Sequence, residues 1–480
     1  MATFNLVRNS RVLFTTNVAA GTGVVAASGF TANNAQELQV LDGFTFSQAS
    51  NADTVEIKEA GNTPTRGQRS FNTSLGNVDF SFSTYIRPYL STTVKAEESH
   101  LWNALLSNTA LGTTAASVVT TIATATQVAG LLTLAGTGFT AMTVGEVVVI
   151  KGVTGVGASQ YNTAVKILTS TTTAITANYI TTPAAACVAG NWTAAVTFNR
   201  TAWNEQIAQV LDLVATPGIP VAYTELTTGL SNRNTLLPFG MIITVDGVTY
   251  IIDNCALDQA VVDFGLDGIA TVAWTGKGTV LRQLATNVIY TAGVLSGGVT
   301  GNYTVKNTTA NFITNKLSTV TLVSNIGGVS GTSYTLALTG GSITIANNLT
   351  YVTPANLGVV NVPVGYFTGT RAISGSLTAY LRTGTTNTAG LLSTLLTNSA
   401  TAAGVEPKFK LQVEIGGSNN GTRVEVQMDG AFLQIPTIDA QAVMSTTINF
   451  KGQSSETVQS ATAGFDIENT NDLEIRYLSV

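Results

Sequence analysis

Two stretches of this chain repeat one another in order, and that internal echo limits the available folds more than any single motif. Ser81-Phe-Ser-Thr-Tyr85-Ile86-Arg87 returns as Ser376-Leu-Thr-Ala-Tyr380-Leu381-Arg382. After a loop, Leu101-Trp-Asn-Ala-Leu105-Leu106-Ser107-Asn108 returns as Leu391-Leu-Ser-Thr-Leu395-Leu396-Thr397-Asn398. Further on, Asp253-Asn-Cys-Ala-Leu257 and Val262-Asp263 match Asp429-Gly-Ala-Phe-Leu433 and Ile438-Asp439. At the same offset, Thr271-Val-Ala-Trp274-Thr-Gly276 matches Thr447-Ile-Asn-Phe450-Lys-Gly452. Ahead of these, Phe239 to Val245 pairs with Phe409 to Ile415, and Phe44-Thr-Phe46 with Ile343-Thr-Ile345. Self-similarity of this kind marks one folding unit used twice. The chain is expected to carry two copies of a unit made of strand, loop, helix and return strands.

The segments inside each copy alternate. Phe44-Thr-Phe46-Ser-Gln48, Val78-Asp-Phe80-Ser-Phe82-Ser83, Met241-Ile-Ile-Thr-Val245 and Lys410-Leu-Gln-Val-Glu-Ile415 are apolar at every second position and bounded by Gly and Asn. That is the pattern of half-buried strands. Helical spacing is confined to a few places. Residues 96–107 set Leu101, Trp102, Leu105 and Leu106 on one face, with Thr93 as a cap and Glu97 and Glu98 in the first turns. Residues 202–215 set Trp203, Ile207, Val210, Leu211 and Val214 at helical spacing after Thr201, and Pro217-Gly218 ends the run.

The first copy is longer because residues 109–197 enter between its helix and its return strands. This Gly- and Thr-rich block carries Leu131-Leu-Thr-Leu134, Val147-Val-Val-Ile150 and Val165-Lys-Ile-Leu168, and predicts a small all-β insert. The second copy has only the residues around Ser399 to Pro407 in its place. The expected organisation is a first copy in two parts, 1–108 and 198–285, flanking the insert at 109–197. A Gly- and Thr-rich linker at 286–311, a second copy at 312–453 and a C-terminal arm at 454–480 follow.

Composition removes several functions. Charged residues make up 10% of the 480, against 44% apolar, and Thr, Ser, Asn and Gly take their place. So uncharged a β-rich surface suits a chain covered by its neighbours, because exposed sheet edges are normally blunted by charge. A formal charge of -5 argues against gripping nucleic acid through phosphates. Cys187 and Cys255 match no zinc or redox spacing and read as two buried thiols. Neither end resembles a signal peptide and no run reaches the ~18 apolar residues of a membrane span, so a soluble, cytoplasmically made chain is expected.

Catalytic and cofactor signals are equally thin. His100 is the only histidine, which rules out a multi-histidine metal site and leaves it beside Leu101 and Trp102 as a helix residue. Gly21-Thr-Gly23-Val-Val-Ala26 with Asp42 echoes a dinucleotide fingerprint, but no helix follows it, and it reads as a flexible loop. Gly276-Lys277-Gly278 lacks the remainder of a phosphate-binding loop and reads as a turn. The spacing of Asp258, Asp263 and Asp267 fits no calcium loop; a solvated or lumen-facing sheet edge is the expectation. No enzyme activity and no cofactor are predicted.

The run Asn347-Asn-Leu-Thr-Tyr351-Val-Thr-Pro354-Ala-Asn-Leu-Gly358 leads into Gly365-Tyr-Phe-Thr-Gly369-Thr-Arg371-Ala-Ile-Ser-Gly375-Ser-Leu-Thr-Ala-Tyr380-Leu381. Together with Asp263-Phe-Gly-Leu-Asp267-Gly-Ile-Ala-Thr-Val-Ala-Trp274-Thr-Gly276, it resembles the tail-tube proteins of long-tailed phages over 39–108, 236–285 and 317–452. The resemblance implies two tandem β-sandwich or half-barrel domains, each with one flanking helix, whose sheets join edge to edge around a DNA-conducting channel. It also implies three-subunit rings of pseudo-sixfold symmetry that stack into a tube. The implied location is the virion tail, after synthesis in the host cytoplasm. Implied partners are further copies of the chain and the other tail proteins: terminator, tape measure, baseplate, and a sheath where the tail is contractile. DNA would pass without specific binding, and no membrane partner is implied. A wall that lets DNA slide should be neutral to acidic. The candidates are Asp263, Asp267, Glu414, Glu425 and Asp439, of which strand alternation can send only some inward. Two other readings fit less of the sequence: a hub ring at the distal end of a tail, and a Thr-rich surface adhesin.

Overall fold

The computed structural model describes residues 10–41, 43–58, 66–87, 96–106, 116–118, 121–128, 130–139, 147–151, 153–154, 161, 164–179, 192, 196–199, 209–215, 236–266, 268–306, 312–324, 332–357, 359–399, 408–416, 423–439, 444–453 and 473–479. The first half begins with β1 (Ser10–Thr15), β2 (Ala35–Leu38), β3 (Thr45–Lys58), β4 (Arg66–Tyr85) and α1 (Ser99–Leu106). Seven insert strands follow: β5 (Ala116–Val118), β6 (Thr121–Val128), β7 (Leu131–Thr137), β8 (Val147–Lys151), β9 (Ala164–Ser170), β10 (Ala174–Tyr179) and β11 (Thr197–Asn199). After β12 (Gln209–Ala215), the half closes with β13 (Phe239–Val245), β14 (Val248–Gly265), β15 (Thr271–Gly278) and β16 (Val280–Gln283). A small sheet of β17 (Val288–Thr291), β18 (Val294–Gly297) and β19 (Gly301–Asn302) comes next.

The second half runs through β20 (Thr319–Ser324), β21 (Ser333–Thr335), β22 (Leu338–Ala346), β23 (Thr350–Val352), β24 (Gly365–Phe367), β25 (Ala372–Tyr380) and α2 (Thr388–Ser399). It ends with β26 (Lys408–Ile415), β27 (Arg423–Leu433), β28 (Thr437–Asp439), β29 (Ser445–Gln453) and β30 (Leu473–Ser479). The chain is mainly β, as the alternation predicts.

The strands form two layers that share β14 and β27. One layer has the antiparallel order β3-β4-β15-β14-β22-β25-β29-β28. The other is β2-β1-β13-β14-β16 over the first half and β21-β20-β26-β27-β30-β12 over the second. β14 passes from one layer to the other, pairing with β13 up to Cys255 and with β15 from Ala256 onward. Alternation then sends Phe80, Phe82, Trp274, Ile343, Leu377 and Phe450 from the first layer into one core with Phe14, Phe239, Met241, Leu411 and Val413 of the second. Both helices contribute: Trp102 of α1 meets Trp274 edge-on at 4.7 Å, and Leu391 and Leu395 of α2 are fully buried. The Trp274 indole N–H, costly to bury unpaired, donates to Thr84 Oγ1 at 2.9 Å.

The two halves agree in register. Phe239 faces Cys255 and Met241 faces Ile252 across a β-bulge; Phe409 faces Ala431 and Leu411 faces Met428 across the same bulge. Elsewhere the alignment read from sequence shifts by two residues. Phe80 faces Gly276 where its counterpart Gly375 faces Phe450, so Phe450 takes the place of Gly276, not of Trp274. Likewise Phe46, opposite Phe80, matches Ile343, opposite Gly375. A slip of two keeps every side chain on its face, so alternation alone cannot detect it. The exchange also has a packing reason: a Cβ on Gly276 would strike the Phe80 ring, and one on Gly375 would strike the Phe450 ring. One aromatic ring fills the space over one glycine in each half, with the roles reversed.

Three local expectations are corrected. Residues 209–215 are not helical but form β12, paired with β30; a short uncapped apolar run does not separate helix from buried strand by periodicity. Glu97 and Glu98 precede α1, and it is the Glu98 carbonyl that accepts the first helical N–H groups, from Leu101 and Trp102. Thr93 lies outside the described residues. Gly276-Lys277-Gly278 is the end of β15, not a turn.

The insert forms its own sheet, β5-β11-β8-β9-β10-β7-β6, around a separate core that includes Leu134, Ile150, Val165, Ile175 and Trp192. The stretch expected as a linker folds in part: β17–β19 cover the second face of the β1–β13 sheet, burying Leu13, Ile242 and Ile251 under Val288, Leu295 and Tyr303.

Candidate assembly edges and polar sheet face

The first layer is apolar on its core face and dominated by hydroxyls on the other. Thr45, Ser47, Ser81, Ser83, Thr275, Ser342, Thr344, Ser374, Ser376 and Thr378 alternate with the core residues. Cross-strand pairs meet directly, as Thr45 Oγ1 and Ser81 Oγ do at 2.7 Å and Ser342 Oγ and Ser376 Oγ at 3.5 Å. Among the described residues, Asp79, Asp258 and Asp263 against Lys277 and Lys451 leave this face close to neutral. A shallow cleft on it is lined by Thr45, Ser47, Asp79, Thr275, Lys277 and Asp258. Among the described residues no cluster of three or more His, Cys, Asp or Glu could hold a metal ion.

The candidate acids do not share one surface. Asp263 is exposed on the hydroxyl face, between Thr271 and Ser342. Glu414 lies in the other layer on the side away from the core, accepting a hydrogen bond from Thr319 Oγ1 at 2.9 Å. Glu425 is its cross-strand neighbour in the backbone register. Asp439 ends β28 opposite Ser445, and Asp267 lies outside the described residues. Asp258, grouped with Asp263 by sequence, plays a structural role instead, pairing with Lys277 at 3.4 Å and accepting the Leu349 N–H at 2.7 Å.

That contact belongs to the joint between the halves. Gln259–Gly265 of β14 pairs with Gly340–Ala346 of β22, with Val262 opposite Ile343. Asn347 crosses the joint, its Nδ2 donating to the carbonyls of Leu105 (2.8 Å) and Leu257 (3.1 Å), and so satisfies a carbonyl left open at the end of α1. The Tyr351 hydroxyl lies 2.8 Å from the carbonyls of Asn254 and Lys277. The Tyr366 hydroxyl donates to the Leu236 carbonyl at 3.0 Å and accepts its N–H at 3.1 Å. Burial pushes the Tyr366 hydroxyl up to about 12 and that of Tyr351 well above the usual range, so both stay neutral donors. Neither tyrosine stands out in the sequence as a functional residue.

Within the first layer, the joint uses one edge of each half and leaves two edges over among the described residues. β3 pairs only with β4, and β28 only with β29, among the described residues. By register β3 is the counterpart of β22, and β28 the counterpart of the outer part of β14: Thr437 faces Thr447 as Val261 faces Ala273. The open edge shows in burial as well. Ile343, covered by β14, is fully buried, whereas Phe46 in the matching place is only partly buried.

Elsewhere, Gly21 and Gly23 form a tight turn with positive φ, packed on Asn254, whose N–H donates to the Gly23 carbonyl at 2.8 Å. His100 packs 5.9 Å from Phe14. Cys255 is buried with its thiol pushed well above the ordinary range by burial, and Cys187 lies outside the described residues.

No protein-family model matches the chain. Over 451 residues, 93% of the chain and 72% of the relative's length, it is 25% identical to the tail tube protein pb6 of Escherichia phage T5. The resemblance to phage tail-tube proteins drawn from the short motifs is thereby borne out along almost the whole chain.

Proposed function

Given its similarity to a tail tube protein along 93% of its length, we propose that this chain is the structural subunit of a phage tail tube, its two halves being two tube domains and three chains closing each pseudo-sixfold ring. Such a role is structural and asks for no catalytic group. The observation that carries the reading is the pair of unfilled edges. Inside the chain, the β14 edge of the first half is joined to the β22 edge of the second. The counterpart edges, β28 and β3, are the two left open. Joining β28 of one chain to β3 of the next repeats the internal joint and covers both open edges of the first layer, the general solution that closed barrels offer. The internal register, carried over, sets Ile438 opposite Phe46, Asp439 opposite Thr45 and Thr437 opposite Ser47.

The hydroxyl-rich face then lines the channel. Its near-neutral charge, Asp79, Asp258 and Asp263 against Lys277 and Lys451, gives phosphates little to hold, as a wall for DNA in transit requires. Stacked rings would place the chain in the virion tail, in contact with the proteins that terminate, measure and anchor the tube.

The test is a register-specific cross-link. Ser47→Cys combined with Thr437→Cys should give disulfide-linked dimers and trimers under oxidation in assembled tubes, and monomers only in the unassembled chain. Electron microscopy of the same tubes should count three chains per ring. Six chains per ring with true sixfold symmetry would defeat the two-domain reading.

A further inference from the structure

The second layer closes differently in the two halves, although β16 and β30 take the same place in it. Gln283 of β16 lies opposite Tyr250, and Ile475 of β30 lies opposite Val426. Tyr250 and Val426 are counterparts, since they face the matching residues Ile243 and Val413. Beyond β30 the second half adds one more strand, β12, with Leu213 opposite Ile475 and Ala215 opposite Leu473. Beyond β16 the first half adds none: among the described residues, β16 pairs only with β14.

What stands there is one side chain. Gln48 Nε2 donates to the Thr279 carbonyl at 3.0 Å and to the Gly76 carbonyl at 2.9 Å, while Gln48 Oε1 accepts the Leu281 N–H at 3.0 Å. Both N–H donors of the amide and its oxygen are thereby engaged. Towards β16 the amide offers one donor and one acceptor, as a peptide group of an added strand would, so the edge is satisfied at Thr279 and Leu281 without a strand. Gln48 follows Phe44 and Phe46 on one face of β3, and a β-bulge begins directly after it. The register that matches Phe46 with Ile343 matches Gln48 with Ile345, which is fully buried and has no polar atom to offer β30. Each half therefore closes this edge once, the first with an amide and the second with β12.

We infer that Gln48 is a specificity residue for strand pairing: it holds the β16 edge shut against the β12 of a second copy, and so reserves each β12 for the β30 of its own chain. An open edge is a template that any strand of fitting pattern can join. β12 fits, because β16 presents the same place in the layer as the strand it already pairs with, and Val210-Leu211-Asp212-Leu213-Val214 carries a single charge to oppose misjoining. A β12 that crossed to the β16 of another copy would link chains head to tail, the open-ended contact that grows into aggregates. The inference concerns the unassembled chain and does not rest on the ring reading.

Replacing the amide alone tests it. Gln48→Met keeps the length of the side chain and removes its donors and acceptor, and Gln48→Ile installs the residue that the second half has at this place. In the full-length chain, under conditions that keep the parent unassembled, both variants should form species of at least twice the parent's mass by light scattering. With Leu213→Cys and Gln283→Cys added, oxidation should join positions 213 and 283 of different chains in the variants and not in the parent, as identified by mass spectrometry. Variants that melt at lower temperature yet keep the parent's mass would overturn the inference, because a merely structural glutamine would behave in that way. Oligomers that lack the link between 213 and 283 would overturn it too. Failure of both variants to fold would make Gln48 a core contact and have the same force.

Discussion

Glu98 makes the stability of the chain depend on pH in a direction opposite to that of most carboxylates. It precedes α1 at 1% exposure, and one of its oxygens accepts the Arg87 N–H at 2.7 Å. Burial pushes its carboxyl up from 4.5 to about 7, in spite of that hydrogen bond, and the neighbouring Glu97 pushes the same way. Below pH ~4.5 the group is protonated in the folded and unfolded chain alike and costs nothing. Between ~4.5 and ~7 the unfolded chain releases a proton that the folded chain keeps, so folding weakens as pH rises and levels off above ~7. At ~1.4 kcal/mol for each unit, the loss is about 3 kcal/mol. Glu98→Gln retains an oxygen for the Arg87 N–H and cannot ionise. Urea unfolding of the unassembled chain, followed by the fluorescence of the Trp102–Trp274 pair, should find the variant within ~1 kcal/mol of the parent at pH 5 and about 3 kcal/mol more stable at pH 8. An equal difference at the two pH values would refute the buried-acid argument.

The aromatic and glycine exchange predicts strong coupling: Phe80→Gly alone should cost ~3–5 kcal/mol by leaving a cavity, Gly276→Phe alone should fail by overpacking, and the double variant should recover most of the loss, because the second half already uses that arrangement. Chemical denaturation of the three variants measures it, and additive losses would contradict it. Replacing residues 109–197 by a short Gly/Ser linker from Asn108 to Phe198 should leave tubes intact by electron microscopy, since the insert has its own core; loss of all soluble protein would make the insert part of the main fold. Asp263→Lys should permit assembly but slow genome ejection, with the effect fading at high salt as the wall charge is screened. Ejection kinetics unaltered at low salt would remove Asp263 from the channel.

Much of this architecture was legible because alternation and repetition are properties of the sequence itself. The strands at 78–83, 241–245 and 410–415, the helix about Leu101 and the insert strands followed from periodicity alone. What escaped was whatever periodicity leaves degenerate. Two-residue slips at Phe46 and Phe450 preserve every face, and only cross-strand neighbours reveal them. β14 and β27 cross between layers at bulges without interrupting the apolar pattern, so nothing in the sequence marks the crossing. The hairpin at 288–297 turns through Ala292 and Gly293, both with positive φ, and Ala is a weaker announcement of such a turn than Asn or Asp. The joint was harder still: Asp258, Asn347, Tyr351 and Tyr366 act by reaching across to backbone groups far away in sequence, a role with no local signature.

That β14 and β22 meet within one continuous chain changes the kinetics by which a proposed ring is made. Two domains tethered in one chain meet at an effective concentration in the millimolar range, independent of how much protein the cell holds. Half of the joints in a proposed ring are therefore complete when each chain finishes folding, and ring closure becomes a reaction of third order in chains instead of sixth order in single domains. In the proposed ring, partial assemblies of odd domain number do not arise. Any shortage of subunits is felt only at the β3 and β28 edges, which makes the strength of that one contact the quantity that sets the concentration threshold for tube growth.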